Sequence, residues 1–293
     1  MRFRLAVLLA AVVACGLGCS RSSGSKVTVS NGVEIPVVAA PAPVAFDKLS
    51  PEDAAKKLVF VNASSFRISQ EFAGKGATYM AQKGYGSSAD LQVTVQRFAP
   101  GNLTDVSWKA LTTATDKAGK STSRQFDGQL GGSDLKTARE LLPPAYWGVG
   151  ERTAAGTSGI WLSAESYENL AKGKGATLYP GVVPAPEAVK AGDLPAEFAA
   201  GVQSLRNALP SWKGPEPTYF LSAAEPSTYT LSANGKDVKV AVRKAASPLA
   251  EITYLDNPQN PLILSYVPAQ VLADYRLDGV LGWRVVSVDG IVE

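Results

Sequence analysis

Short runs in which apolar and polar residues alternate, or in which β-branched residues cluster, recur along most of this chain. Phe60-Val61, Phe66-Arg67-Ile68 and Leu91-Gln92-Val93-Thr94-Val95 read as strands. Val106 to Thr115 and Ser121 to Phe126 continue the pattern on either side of Asp116-Lys117-Ala118-Gly119, a turn signal. Ile160-Trp161-Leu162 and Ala176 to Tyr179 read as further strands. The last third carries the clearest signal. Thr228 to Ser232, Asn234-Gly235 and Val238 to Arg243 predict a hairpin, because Asn-Gly tolerates the left-handed backbone of a two-residue turn. Alternation of Val238, Val240 and Val242 sets its register, since a one-residue slip would turn all three to solvent. Ile252 to Leu255 and Leu262 to Val267 flank the turn-rich hexapeptide Asp256 to Pro261. Trp283 to Val288 predicts a last strand that closes the same sheet as the hairpin.

Helical signals are fewer and shorter. Ser50-Pro51-Glu52-Asp53 places a capping serine, a first-turn proline and two acids where a helix N-terminus favours them. Ser133-Asp134-Leu135-Lys136 predicts a second capped helix, with Ser133 as its cap, ending near Pro143-Pro144. Ser163 caps a third, Glu165 to Ala171. Leu194 to Leu209 is amphipathic, with Phe198, Val202, Leu205 and Leu209 at helical spacing. The fold class expected is mainly β with short helices, an antiparallel sandwich or barrel-like arrangement. Val182 to Leu194 is rich in Pro and Ala and marks an internal boundary. It divides residues 50–183, a β-rich domain or first half, from a linker and helix at 184–217 and a C-terminal sheet segment at 218–293. Upstream, Ser20 to Ser25 reads as a flexible tether, Asn31-Gly32 as a hairpin turn, and Pro36, Pro41 and Pro43 as an extended connector within residues 19–49.

The first residues differ in kind. Arg2 and Arg4 precede an uncharged run from Leu5 to Ala14, the layout of a secretory signal. At about 1.5 Å per residue this run covers roughly half of a ~30 Å hydrocarbon layer, too little for a transmembrane helix. Small residues then lead to cysteine twice. Val12-Val13-Ala14-Cys15 and Gly16-Leu17-Gly18-Cys19 both resemble a lipobox, the signal of the bacterial lipoprotein pathway. The first fits the residue pattern better, and the second gives the better signal length. The resemblance implies a signal peptide at 1–18, cleavage before the cysteine, and a diacylglyceryl thioether on Cys19, with Cys15 as the alternative. A further acyl chain on the new amino group usually follows, a palmitate-like anchor in which each buried CH₂ adds about 0.8 kcal/mol. Ser20 or Gly16 after that cysteine favours the outer membrane by the sorting rule of enteric bacteria.

Composition narrows the chemistry. Both cysteines lie at this junction and histidine is absent, so residues beyond 19 hold neither thiolate nor imidazole. That excludes Cys/His zinc sites, Ser-His-Asp triads and Cys-His catalysis, and leaves only oxygen ligands for calcium or magnesium. The chain has 29 basic and 26 acidic residues; loss of Arg2 and Arg4 with the signal leaves 27 against 26. These charges are scattered, without the basic stripe of a nucleic-acid binder. No catalytic, cofactor-binding or metal-ligating residue is assigned from the sequence.

Several motifs admit a sharper reading. Ser133-Asp134-Leu135-Lys136 matches the serine-x-x-lysine start of penicillin-binding enzymes, with Ser232-Ala233-Asn234 in the place of a second motif, but the lysine-threonine-glycine strand is missing. Gly131-Gly132 and Gly148-Val149-Gly150 lack the remaining residues of a phosphate loop. Gln203 to Leu209 is loosely similar to the helix of OmpA-like peptidoglycan binders, without that family's aspartate upstream. Glu165 with Glu168, and Asp274 with Asp278, are carboxylate pairs of the type a glycosidase needs. Ile160 to Ser163, the helix after it, Leu178, and Leu255 to Leu262 resemble segments of uncharacterised β-rich bacterial envelope proteins. That likeness implies no activity. The reading expected is an exported envelope lipoprotein, a non-enzymatic binding or scaffold module for a protein partner or apolar ligand; the alternative is a cell-wall hydrolase using carboxylates or a Ser-Lys pair.

Overall fold

In the computed structural model a single strand near the C-terminus joins two parts of one twelve-stranded sheet. The structure describes residues 41–72, 88–115, 121–144, 147, 150–178, 218–222, 226–248, 250–268 and 281–292. Ala42–Glu293 is one compact unit and Met1–Pro41 another. The strands are β1 (Ser65–Phe72), β2 (Ser88–Ala99), β3 (Leu103–Thr115), β4 (Ser121–Asp134), β5 (Gly150–Thr153) and β6 (Ala176–Leu178). They continue as β7 (Thr218–Ser222), β8 (Ser227–Ala233), β9 (Lys236–Ala246), β10 (Ala250–Leu255), β11 (Ile263–Pro268) and β12 (Leu281–Asp289). The described helices are α1 (Pro51–Lys57) and α2 (Ala164–Ala171).

The fold is mainly β and contains a closed five-stranded barrel. Its ring is β8–β9–β10–β11–β12, closed by a parallel pairing of β12 with β8 at Ser287↔Ser232 and Val288↔Ala233. β12 meets β1 along one edge, from Phe72↔Leu281 to Ser65↔Asp289. Its other edge is divided: Trp283 and Arg284 face β11, and Ser287 and Val288 face β8. Closure removes the exposed edges these strands would otherwise present. Through β1 the barrel continues into the sheet β1–β2–β3–β4–β5, so strands of residues 50–183 and 218–293 share one sheet.

Local chemistry explains the fork. Tyr229 of β8 donates its hydroxyl hydrogen bond to the Val285 carbonyl at 3.0 Å, and lies 3.4 Å from that of Leu264. These carbonyls flank the point where β11 and β12 part, so the phenol serves backbone groups that the ladder leaves. Gly282 permits the close approach beside it, since a Cβ there would lie 2.9 Å from the Tyr266 carbonyl oxygen. The Tyr266 and Trp283 rings stack with centroids 4.5 Å apart and planes 3° from parallel.

The hairpin turns at Asn234 (φ 48°) and Gly235 (φ 78°), both left-handed as the pair predicts. Leu231, Val238, Val240 and Val242 are buried. Ser50 and Ser163 cap α1 and α2, accepting from the amides of Asp53 and Ser166. Three local expectations fail. Residues 133–143 form no helix: β4 runs through Asp134, and the Leu135 amide donates to the Asn102 carbonyl instead of starting a helical ladder. Ser133 is therefore a strand residue, and Asp134 makes the turn, accepting from the Lys136 and Thr137 amides at 2.7 and 3.2 Å. Phe60-Val61 is not a strand: it leads into a turn at Asn62-Ala63, across which the Val61 amide donates to Ser64 Oγ. Ile160 to Leu162 supplies one bridge, Trp161↔Leu262. The Asn31-Gly32 hairpin, the boundary at 182–194 and the Leu194 to Leu209 helix lie outside the described residues.

Candidate functional site

The segments carrying the envelope-protein likeness meet each other. The Leu162 amide donates to the Pro261 carbonyl, and the Ile263 amide to that of Ile160. Beneath them two buried asparagines clamp the end of α1. Asn257 Nδ2 donates to the carbonyls of Ala55 (2.9 Å), Lys56 and Leu58 (3.3 Å each). Asn260 Nδ2 donates to Leu58 O, and Asn260 Oδ1 accepts the Trp161 indole N–H at 2.9 Å. These bonds occupy the polar atoms the hexapeptide offers inward, so this knot builds the scaffold.

A second polar group lies where α2 meets the barrel. Tyr167 Oη and Arg243 Nε both donate to Asp256 Oδ1, each at 2.9 Å. The rings of Tyr167 and Tyr254 meet edge to face with centroids 6.0 Å apart. Burial raises the pKa of Tyr167, and its hydrogen bond to Asp256 and that residue's charge add to the rise; Arg243 opposes it. Burial raises the pKa of Tyr254 as well, against the Ser222 hydroxyl and Arg243. Asp256 raises that of Arg243 by its hydrogen bond. A carboxylate held between a phenol and a guanidinium keeps both partners protonated. The trio latches α2 to the barrel.

The expected chemical motifs are dispersed. Ser133 is 1% exposed at the end of β4, whereas Lys136 is exposed beyond the Asp134 turn. Burial works against ionisation of Asp134, but hydrogen bonds from Lys136 and Thr137 leave its pKa lowered. Glu165 is paired with Arg139 at 2.9 Å and Glu168 with Lys172, so each carboxylate of α2 answers a cation. The Gly132 amide donates to Asp105 Oδ1 at 2.6 Å, and Gly131-Gly132 lie opposite Asp105 where the β3–β4 register shifts, which gives this pair a place in the sheet. Ser232 and Ala233 end β8 and Asn234 begins the turn. Among the described residues no group of His, Cys, Asp and Glu is placed to hold a metal ion, and no helix is long and apolar enough to cross a membrane. Cys15, Cys19, Gly148, Val149, Gln203 to Leu209, Asp274 and Asp278 lie outside the described residues.

One surface feature escapes the sequence. Leu221, Ala246, Glu251 and Val267 are successive cross-strand partners on β7, β9, β10 and β11. All four are exposed, Leu221 to 57% and Val267 to 53%. One exposed leucine means little. Here two large apolar side chains and an alanine share a single row on one face, with Glu251 held by Lys244 at 3.3 Å. The row sits at the end of β9 remote from the Asn234–Gly235 turn, about 33 Å along the strand at ~3.3 Å per residue. At the turn end Asn234 Nδ2 donates to the Ile291 carbonyl at 2.9 Å, and the Val44 amide donates to the same carbonyl at 3.1 Å. The chain thus enters the described unit at the opposite end from the row. Nothing in the linear pattern signals it, because the row exists only once the register of four strands is known. No protein-family model, no curated protein and no solved structure matches this chain.

Proposed function

We propose that this chain is a lipid-anchored, exported envelope protein that acts as a non-enzymatic binding module for a protein partner. The anchor reading rests on Arg2, Arg4, the uncharged run and the lipobox-like residues before Cys19 and Cys15. The observation that carries the binding reading is the exposed row Leu221–Ala246–Glu251–Val267, at the end of the barrel remote from where the chain enters. Apolar side chains flanking a paired charge suit a small protein–protein contact. The pairing of Glu165 with Arg139 and of Glu168 with Lys172, and the burial of Ser133, weigh against the hydrolase alternative.

Site-specific photo-crosslinking in native envelopes tests the binding reading. A crosslinker at 221 or 267 should give the same discrete adduct, lost with Glu251→Lys, while one at exposed Lys239 should give none. Equal labelling from all three positions, or no adduct from 221 and 267, would contradict it.

A further inference from the structure

The turn between β8 and β9 carries a chemistry of its own. An asparagine followed by glycine is open to attack by its own backbone, because glycine sets no side chain beside the attacking peptide nitrogen. Gly235 is exposed, and a Cβ there would meet no described atom within 4 Å beyond its chain neighbours. The Asn234 amide, however, is fully engaged. Its Nδ2 donates to the carbonyls of Ile291 at 2.9 Å and Val44 at 3.4 Å, and its Oδ1 accepts from the Ile291 amide at 3.2 Å. Ile291 meets this side chain with both its N–H and its C=O, as it would meet a neighbouring strand. The same turn holds the first described segment. Pro43 bridges Val292, the Val44 amide donates to the Ile291 carbonyl, and Lys236 pairs with Asp47 at 3.0 Å. Val44 and Phe46 are buried. Asn234 is thus the clasp at which the hairpin, the entering segment and the end of the chain meet.

We propose that Asn234 is a modification site guarded by the fold: its amide becomes an acid only when the clasp opens, and the change then keeps the clasp open. The Gly235 peptide nitrogen gives its proton to solvent base and attacks Cγ of Asn234. The Cγ–Nδ2 bond breaks, Nδ2 takes a proton from solvent and leaves as ammonia, and a cyclic imide remains. Water opens that ring at either carbonyl, giving aspartate or isoaspartate. The net change is one water consumed and one ammonia released, with no oxidant or reductant. In the folded chain Cγ is held toward Ile291, so all three bonds of the amide must break before the ring can close. The product fits the clasp badly. Both donor bonds vanish, and a carboxylate oxygen then faces the carbonyls of Ile291 and Val44, which it repels. Isoaspartate also lengthens the main chain inside a two-residue turn whose geometry sets the hairpin. The clasp lies at the end of β9 remote from the Leu221–Val267 row, and the proposal does not depend on the binding reading.

Incubation of the full chain in detergent micelles at mildly alkaline pH, folded and in urea, tests the guard. Mass spectrometry of the peptide carrying residue 234 reads the conversion, which should be at least tenfold slower in the folded chain. Two variants test the consequence, read as the rate of trypsin cleavage after Lys48. Asn234→Asp should be cut there at least threefold faster than the native chain. Asn234→Gly keeps the left-handed turn and loses the amide without adding a charge, so it should be cut more slowly than Asn234→Asp. The tryptophan emission of both variants should stay native, which confines the effect to the entering segment. Equal conversion in the folded and unfolded chains, cleavage of Asn234→Asp no faster than that of Asn234→Gly, or the emission of an unfolded chain from Asn234→Asp would overturn the proposal.

Discussion

The indole N–H of Trp161 donates to Asn260 Oδ1 at 2.9 Å, joining the segment that leads into α2 to the loop between β10 and β11, 99 positions away. Asn260 turns its other end to the Leu58 carbonyl, 3.0 Å off. Trp161 is also ringed by Phe60, Phe66 and Phe98, with centroids between 5.9 and 6.3 Å. The amide therefore completes a core that is otherwise aromatic. Asn260→Leu would strand the buried Trp161 N–H and leave the Leu58 carbonyl only its 3.3 Å bond from Asn257. We expect roughly 1–3 kcal/mol of destabilisation, the cost of one buried donor left without its partner. Urea titration should show a lower midpoint with an unchanged slope. A shift within error of zero would mean that the bond adds nothing to the scaffold.

β12 is the strand on which both parts of the sheet depend. It contacts β1 along one edge and β11 and β8 along the other. Removing Trp283 to Glu293 opens the barrel and frees β1, so the whole cooperative transition should be lost. The single change Trp283→Ala removes the ring stacked on Tyr266 and should cost about 3–5 kcal/mol. A truncated chain with the melting temperature of the intact one would show that β12 is peripheral.

Tyr167 gives the fold a pH signature. Its folded pKa lies above the unfolded value of about 10, chiefly by burial and then by its bond to Asp256. The folded state therefore holds the proton more tightly. The contribution is complete below about pH 10 and is lost as pH rises beyond it. Tyr254 is shifted in the same direction. Tyr167→Phe should thus shallow the alkaline fall in stability, and the difference between the two proteins should shrink from pH 8 to pH 11. A difference that stays constant or grows would contradict the latch.

Without histidine, or cysteine beyond residue 19, transition metals have few ligands here, and the described carboxylates do not cluster. The melting temperature should be the same before and after dialysis against a chelator. A drop of several degrees would indicate an oxygen-ligand calcium site.

Residues that act locally were legible, and those that act at a distance were not. Asn234-Gly235 needed only its own backbone freedom and the alternation of Val238, Val240 and Val242 to specify a hairpin. Ser50 and Ser163 needed only an amide three residues on. Ser133 carried the same local signal, yet pairing of β4 with β3 extends through Asp134 and the Leu135 amide goes to Asn102. Tertiary hydrogen bonds there outweighed a cap worth about 1 kcal/mol. The turn at Asp256 to Pro261 was legible from composition, but its role in clamping α1 was not, since the acceptors lie some 200 positions upstream. The parallel closure of β12 on β8 has no signature in either strand. Of the candidate site, the anchor is proposed from the sequence alone, and the exposed row required the register.

Export and lipid anchoring are the centre of the proposed function, because they would decide where the Leu221–Val267 row can meet a partner. Mass spectrometry of the N-terminal peptide of the native protein tests them most directly. The account predicts a mature chain without Met1 whose first residue is Cys19, or Cys15, carrying a diacylglyceryl thioether and an acylated amino group. A native protein that retains Met1, or that begins with an unmodified residue, would contradict it.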